Sequence, residues 1–241
     1  LQPACPTPPF QTEVFRQPTQ QIALDLIEPE APTLENFVAG DNAELVAALK
    51  SCRAGLGPQF IYIWGPPGSG RTHLLRSLTP FQRWRVPEFD ESVCLYTVDN
   101  VEQLNEEDLE KLFHLMNAVR SHPNARLVTA GAHSVRELAV REDIRTRLSW
   151  GLAYRIDYLP DVLAEGEFVR LAQARGLRIS PEFSRWVSEH GPRDMRGLRE
   201  FLDKIDRRCM QTKKKVSFAL LNECLQSFNA ERRRYPALTK C

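Results

Sequence analysis

The sequence predicts an α/β fold: a nucleotide-binding domain built on a parallel sheet, followed by a small helical domain. Three observations predict it. Short apolar runs alternate with amphipathic stretches through the first two thirds of the chain, the pattern of a parallel sheet covered on both faces. One of those runs passes directly into a glycine-rich loop and then a helix, a β-loop-α unit. Beyond Leu159-Pro160 the strand signal fades and only helical segments follow.

In chain order, the first 20 or so residues are rich in Pro, Gln and Thr, too polar to bury a core, and residues 1–32 are read as a flexible arm. Phe37, Val38 and Gly40 lead to Asp41, an expected N-cap for a helix over Asn42 to Lys50. A strand over Phe60 to Trp64 runs into the loop, and a helix over about Arg71 to Leu78 follows. Further strands are expected at Val93–Val98, Ala125–Ala130 and Ala153–Asp157, with helices over about 105–121 and 134–148. Helices are expected over 161–175, 181–190, 194–211 and 217–229, which places the α/β domain at 33–159, the helical domain at 160–230 and a basic tail at 231–241.

Composition narrows the function classes. With 241 residues the chain can bury two cores, and a formal net charge of +1 confines any nucleic-acid contact to local patches. The six cysteines are scattered without metal-ligand spacing, and no apolar run reaches the length that spans a bilayer. The expected location is the cytoplasm, with free thiols and no membrane partner.

The loop Gly65-Pro66-Pro67-Gly68-Ser69-Gly70-Arg71-Thr72 follows the spacing of a phosphate-binding loop. Its glycines let backbone N–H groups approach phosphate oxygens, and the helix that follows adds a favourable dipole. Thr72 supplies the hydroxyl expected to ligand Mg2+. Arg71 stands where lysine is usual, and its planar fork should hold phosphates while placing a γ-phosphate less well. A plain Gly/Pro turn has the same composition, but the strand before and the helix after favour the phosphate loop. Asp99 ends an apolar strand, the position of the acid that holds nucleotide Mg2+. Asn100 follows it where hydrolysing relatives carry a second acid, so binding with weak or absent turnover is expected.

These residues, together with Phe37-Val38-Ala39-Gly40-Asp41-Asn42, Gly68-Ser69-Gly70-Arg71-Thr72-His73-Leu74-Leu75, Val98-Asp99-Asn100, Arg145-Thr146-Arg147-Leu148-Ser149-Trp150-Gly151 and Arg193-Asp194-Met195-Arg196, resemble the DnaA-like AAA+ proteins. The shortened Hda branch, which lacks the initiator's DNA-binding domain, is the nearer resemblance, from Gln21 to about Gln226. The resemblance implies an AAA+ domain with a helical lid. It implies that Phe37 and Val38 line an adenine pocket, that Gly65, Pro67, Gly68, Ser69, Gly70, Arg71, Thr72, His73, Asp99 and Asn100 surround the phosphates, and that Arg196 touches the nucleotide from the lid. It also implies that Arg147 is an arginine finger offered to a neighbour's γ-phosphate; without the motif either arginine would read as an ordinary surface ion pair. The ligand implied is an adenine nucleotide with Mg2+, ADP ahead of ATP. There are two departures: Leu127 to Ala132 lacks the polar first sensor and leaves Thr129 as a poor substitute, and only residues 73 to 98 separate Thr72 from Asp99, so one strand-helix element of the family's usual core is expected to be trimmed.

Gln21-Ile22-Ala23-Leu24-Asp25-Leu26 is similar to the short peptide that docks on the bacterial sliding clamp, with Gln21 making polar contacts and Ile22, Leu24 and Leu26 facing an apolar slot. An amphipathic edge strand would explain the same residues. The function this implies is negative regulation of replication initiation. The chain would dock on the DNA-loaded clamp of DNA polymerase III and stimulate hydrolysis of ATP on the initiator DnaA, with a homodimer left open. The alternatives are a self-cycling AAA+ ATPase of the helicase-loader or clamp-loader type, and a paralogue that binds duplex DNA directly. For weak contact with a DNA backbone, the candidates are the runs Arg207-Arg208, Lys213-Lys214-Lys215 and Arg232-Arg233-Arg234, which also suit solvated helix ends.

Overall fold

The computed structural model describes residues 31–80 and 85–234. The Gln21–Leu26 hexapeptide lies outside them. After a 3-10 turn at Gly40–Asn42, the order is α1 (Ala43–Arg53), β1 (Phe60–Trp64), α2 (Arg71–Leu78), β2 (Leu95–Val98), α3 (Glu106–Ser121), β3 (Arg126–Gly131), α4 (Glu142–Leu148) and β4 (Leu152–Arg155). Four helices follow among the described residues: α5 (Asp161–Ala174), α6 (Pro181–His190), α7 (Met195–Thr212) and α8 (Phe218–Arg234).

The four strands lie parallel in the order β2-β3-β1-β4. Period-two alternation divides their side chains between two cores. Phe60, Tyr62, Tyr96, Val98 and Leu127 face α3 and α4 with Leu112, Leu115, Met116 and Ile144. Ile61, Ile63, Val128 and Ala130 face α1 and α2 with Leu45, Leu49, Leu74 and Leu75. Central strands buried on both faces must be apolar throughout, which is why β1 reads Phe-Ile-Tyr-Ile-Trp. β2 and β4 form the two edges of the sheet among the described residues.

The lid has a core of its own. Phe168, Leu171, Val187, Leu198, Phe201, Leu202, Ile205, Leu221 and Phe228 pack α5 to α8 together without sheet residues. Arg175 bridges α5 to Asp203 of α7 at 2.7 Å, and Lys204 ties α7 to Glu231 of α8 at 2.6 Å.

Three expected elements are corrected. The segment expected to be helical from 134 is helical only from Glu142, because Ser134 closes a local turn with Glu137 at 2.8 Å while Val135 and Leu138 drop into the core. Asp41 does not cap α1: it lies inside the 3-10 turn, and Asn42 takes the N-cap position without a side-chain cap bond. Residues 231–234, expected as the start of a tail, continue α8 through Arg234.

Candidate functional site

The loop between β1 and α2 has the shape a phosphate group requires. Gly68 and Gly70 adopt positive φ of 82° and 106°, a left-handed backbone that side chains rarely tolerate. Space forbids one as well: a Cβ on Gly68 would lie 2.6 Å from Asp194 Cβ, and one on Gly70 would lie 2.7 Å from the Phe37 ring. Ser69 N–H turns back to Pro66 O at 3.3 Å, and Leu74 N–H bonds to Gly70 O at 3.0 Å as α2 begins.

Two polar groups in this loop lack partners. Ser69 Oγ and Arg71 Nη1 are buried with no hydrogen bond, although Arg71 is only 8% exposed. Buried donors are normally satisfied, and a guanidinium nitrogen and a hydroxyl left idle in one loop suit an anionic ligand. This fits the nucleotide expected there.

The residues expected to hold Mg2+ come from two elements. Thr72 Oγ1 donates to Asp99 Oδ2 at 2.6 Å, joining the first turn of α2 to the end of β2, while Asp99 Oδ1 accepts the Asn100 N–H at 2.8 Å. A hydroxyl and a carboxylate side by side next to a phosphate loop form a hard, oxygen-rich corner suited to Mg2+. No cluster of three or more His, Cys, Asp or Glu that could hold a metal occurs among the described residues.

Phe37 packs on His73 with ring centroids 5.6 Å apart, and a His73 ring nitrogen lies 3.0 Å from Thr33 O. Burial, with Arg199 of the lid adding to it against the Thr33 carbonyl, holds the His73 imidazole below its ordinary range. Phe37, Gly70 and His73 thus meet at one wall of the loop. Val38 lies beside them, half-buried.

The lid approaches through α7. Asp194 caps this helix, its carboxylate accepting from Gly197 N at 2.7 Å, and stands against Gly68. Arg196 lies two residues on, exposed, with its Nε 2.9 Å from Glu200 of its own helix. Thr129 sits at the middle of β3, opposite Tyr62 and bonded at 3.4 Å to Ile61 O, away from the strand end where a first sensor would stand.

Arg147 belongs to a different surface. Its Nε donates to Asn117 Oδ1 at 3.0 Å and its Nη1 to Asp143 O at 2.9 Å. The guanidinium lies 3.8 Å from the centroid of Phe113 and 5.4 Å from that of Trp150. All these contacts are on the α3–α4 face.

Sequence reading gave Asp194 and Arg232 no site role. The signal that could have found Asp194 is the Asp-x-x-Gly cap at the start of α7; Arg232 carried none, being one of three consecutive arginines. Among the described residues no helix is long and apolar enough to cross a membrane.

Comparison with known proteins bears on the fold. Residues 166–225 match the family model described as "Hda, lid domain". Domain III of the replication initiation protein DnaA of Thermotoga maritima superposes with a TM-score of 0.68 at 19% identity, covering 83% of this chain and 98% of that one. AMPPCP-bound DnaA from Aquifex aeolicus gives 0.61 at 21% identity over 75% of this chain and 66% of that one. The RuvB Holliday junction branch migration motor of Thermotoga maritima gives 0.62 at 14% identity over 81% and 72%. A lid of the Hda type therefore follows a parallel α/β core with the AAA+ fold of DnaA domain III.

Proposed function

We propose that this chain is a negative regulator of bacterial replication initiation: it holds adenine nucleotide in the residue 65–72 loop, docks on the DNA-loaded sliding clamp through Gln21–Leu26, and offers Arg147 to ATP bound by the initiator DnaA. The observation that carries the reading is the combination, in one chain, of a nucleotide loop, an Hda-type lid, and an arginine held rigidly on a separate face.

Each part has a physical role. Arg71 and the backbone donors from Gly68 to Thr72 would bind the phosphates, with ADP favoured over ATP. Thr72 and Asp99 would position the phosphate-bound Mg2+, which screens the charge of the phosphate chain. Asn100 cannot take a proton from an attacking water as a carboxylate would, which favours retention of nucleotide over its hydrolysis. Arg147, already ordered by Asn117 and Phe113, would lose little rotamer freedom when it meets the charge developing on a transferred phosphoryl group in the partner's site.

The deciding measurement is ATP turnover by the initiator with clamp loaded on DNA. The parent protein is expected to accelerate it, and Arg147→Ala is expected not to. If Arg147→Ala stimulates as well as the parent, the finger assignment fails. The intact Thr72–Asp99 contact favours a second reading, a self-cycling ATPase, which predicts rapid turnover by the purified chain alone.

A further inference from the structure

Two charged lid residues lie at the phosphate loop without a part in that reading. Asp194 places its carboxylate carbon 3.0 Å from the point a Gly68 Cβ would occupy. Arg232, in the last turn of α8, grips this carboxylate from the other side: Nη1 to Oδ2 at 3.2 Å, Nη2 to Oδ2 at 3.2 Å and Nη2 to Oδ1 at 3.4 Å. Its guanidinium lies 4.9 Å from the Phe228 ring centroid, which fixes the fork in place. The Asp194 side chain is only 14% exposed, so water screens it weakly.

This arrangement poses an electrostatic problem at the loop. A carboxylate mostly withdrawn from water stands beside a glycine whose task is to admit phosphate oxygens, and like charges in such a place repel. Asp194 is retained there as the cap of α7. The cap needs only a side-chain oxygen, and Asn would serve equally well. The full negative charge is therefore tolerable at the loop only while a cation is fixed to it.

We propose that Arg232 is a positioning residue of the nucleotide site: by neutralising Asp194 it lets the loop accept an anionic phosphate chain, and it ties the end of α8 to the state of Gly68. The proposal rests on reading residues 65–72 as a nucleotide site. It takes Arg232 out of the basic run considered for DNA contact and gives the last lid helix a stake in nucleotide binding.

Titration calorimetry of ADP with Mg2+ into the full-length chain tests it. Neutralising a partly buried neighbour of a phosphate site predicts that Arg232→Ala binds about tenfold more weakly, and that Asp194→Asn stays within about threefold of the parent. The decisive protein is Arg232→Ala/Asp194→Asn, which should recover to within about threefold of the parent, because no carboxylate is left to neutralise. Arg232→Ala binding like the parent would overturn the proposal. So would a double variant as weak as Arg232→Ala, since a packing role is not repaired by removing a charge elsewhere. Should Arg232→Ala fail to fold, Arg232→Lys and Arg232→Gln make the same comparison: near-parental affinity for Lys with loss for Gln supports the proposal, and equal affinities overturn it. A parent that binds no ADP would instead bring down the nucleotide-site reading itself, an outcome distinct from a parent that binds and variants that do not differ.

Discussion

The glycine loop and the Arg147 face carry two arginines in opposite conditions. Arg71 is nearly enclosed yet has a guanidinium nitrogen with nothing to bond. Arg147 is half-exposed with its Nε and Nη1 engaged and Phe113 beneath the guanidinium. An idle buried donor is a cost that an anion would remove, so the first region has the character of a receptor. An exposed but immobilised cation has already given up its rotamer entropy and can act on something outside the molecule, so the second has the character of a tool. Under the proposed function, the difference predicts that nucleotide binding and catalytic contribution are separable in this chain.

The largest expected effect probes that separation directly. Arg147→Ala should reduce stimulation of initiator ATP turnover by at least about a hundredfold, in keeping with the usual worth of an arginine finger, and leave ADP affinity unchanged. A parallel loss of ADP binding in calorimetry would break the comparison by showing the two regions coupled.

Gly68→Ala attacks the receptor side. A methyl group 2.6 Å from Asp194 Cβ at a φ of 82° must displace the loop or the lid, so ADP affinity should fall by about tenfold or more. Thermal unfolding should drop by several degrees at the same time, whereas Arg147→Ala should barely move it.

Thr72→Val keeps the shape of the side chain and removes its hydroxyl. It leaves Asp99 Oδ2 without the 2.6 Å donor and the metal corner without one oxygen. ADP affinity measured with Mg2+ should fall about tenfold, and the gain that Mg2+ gives the parent should shrink. Equal losses with and without Mg2+ would move Thr72 from metal ligand to structural cap.

The smallest effect sharpens the tool side. Phe113→Ala removes the ring 3.8 Å from the Arg147 guanidinium while leaving the Asn117 bond. Stimulation should fall only about fivefold, the order of one cation–π contact, with ADP affinity intact. A loss as deep as that of Arg147→Ala would mean that the rigidity of the finger matters as much as its charge.

Much of the fold was legible because its determinants are local. β1 and α2 begin and end as expected, since the apolar run of β1 stops at Gly65 while α2 starts after Gly70 and stops just before Thr79-Pro80. The segment 134–141 was misread because Val135 and Leu138 have helical spacing, while a side-chain bond from Ser134 to Glu137 favours a turn. Asp41 misled for a related reason: a good capping residue does not cap unless the backbone enters the helix there.

By itself the sequence determined the phosphate loop, the strand-terminal Asp99, the two-part architecture and the resemblance that singled out Arg147, because each is written in contiguous residues. Tertiary structure alone decided that Thr72 meets Asp99, that Arg71 is buried with a donor to spare, that Phe113 and Asn117 hold Arg147, and that Arg232 crosses 38 residues to reach Asp194 at Gly68. Such contacts depend on how packed layers bring distant segments together, and neither propensity nor periodicity carries that information.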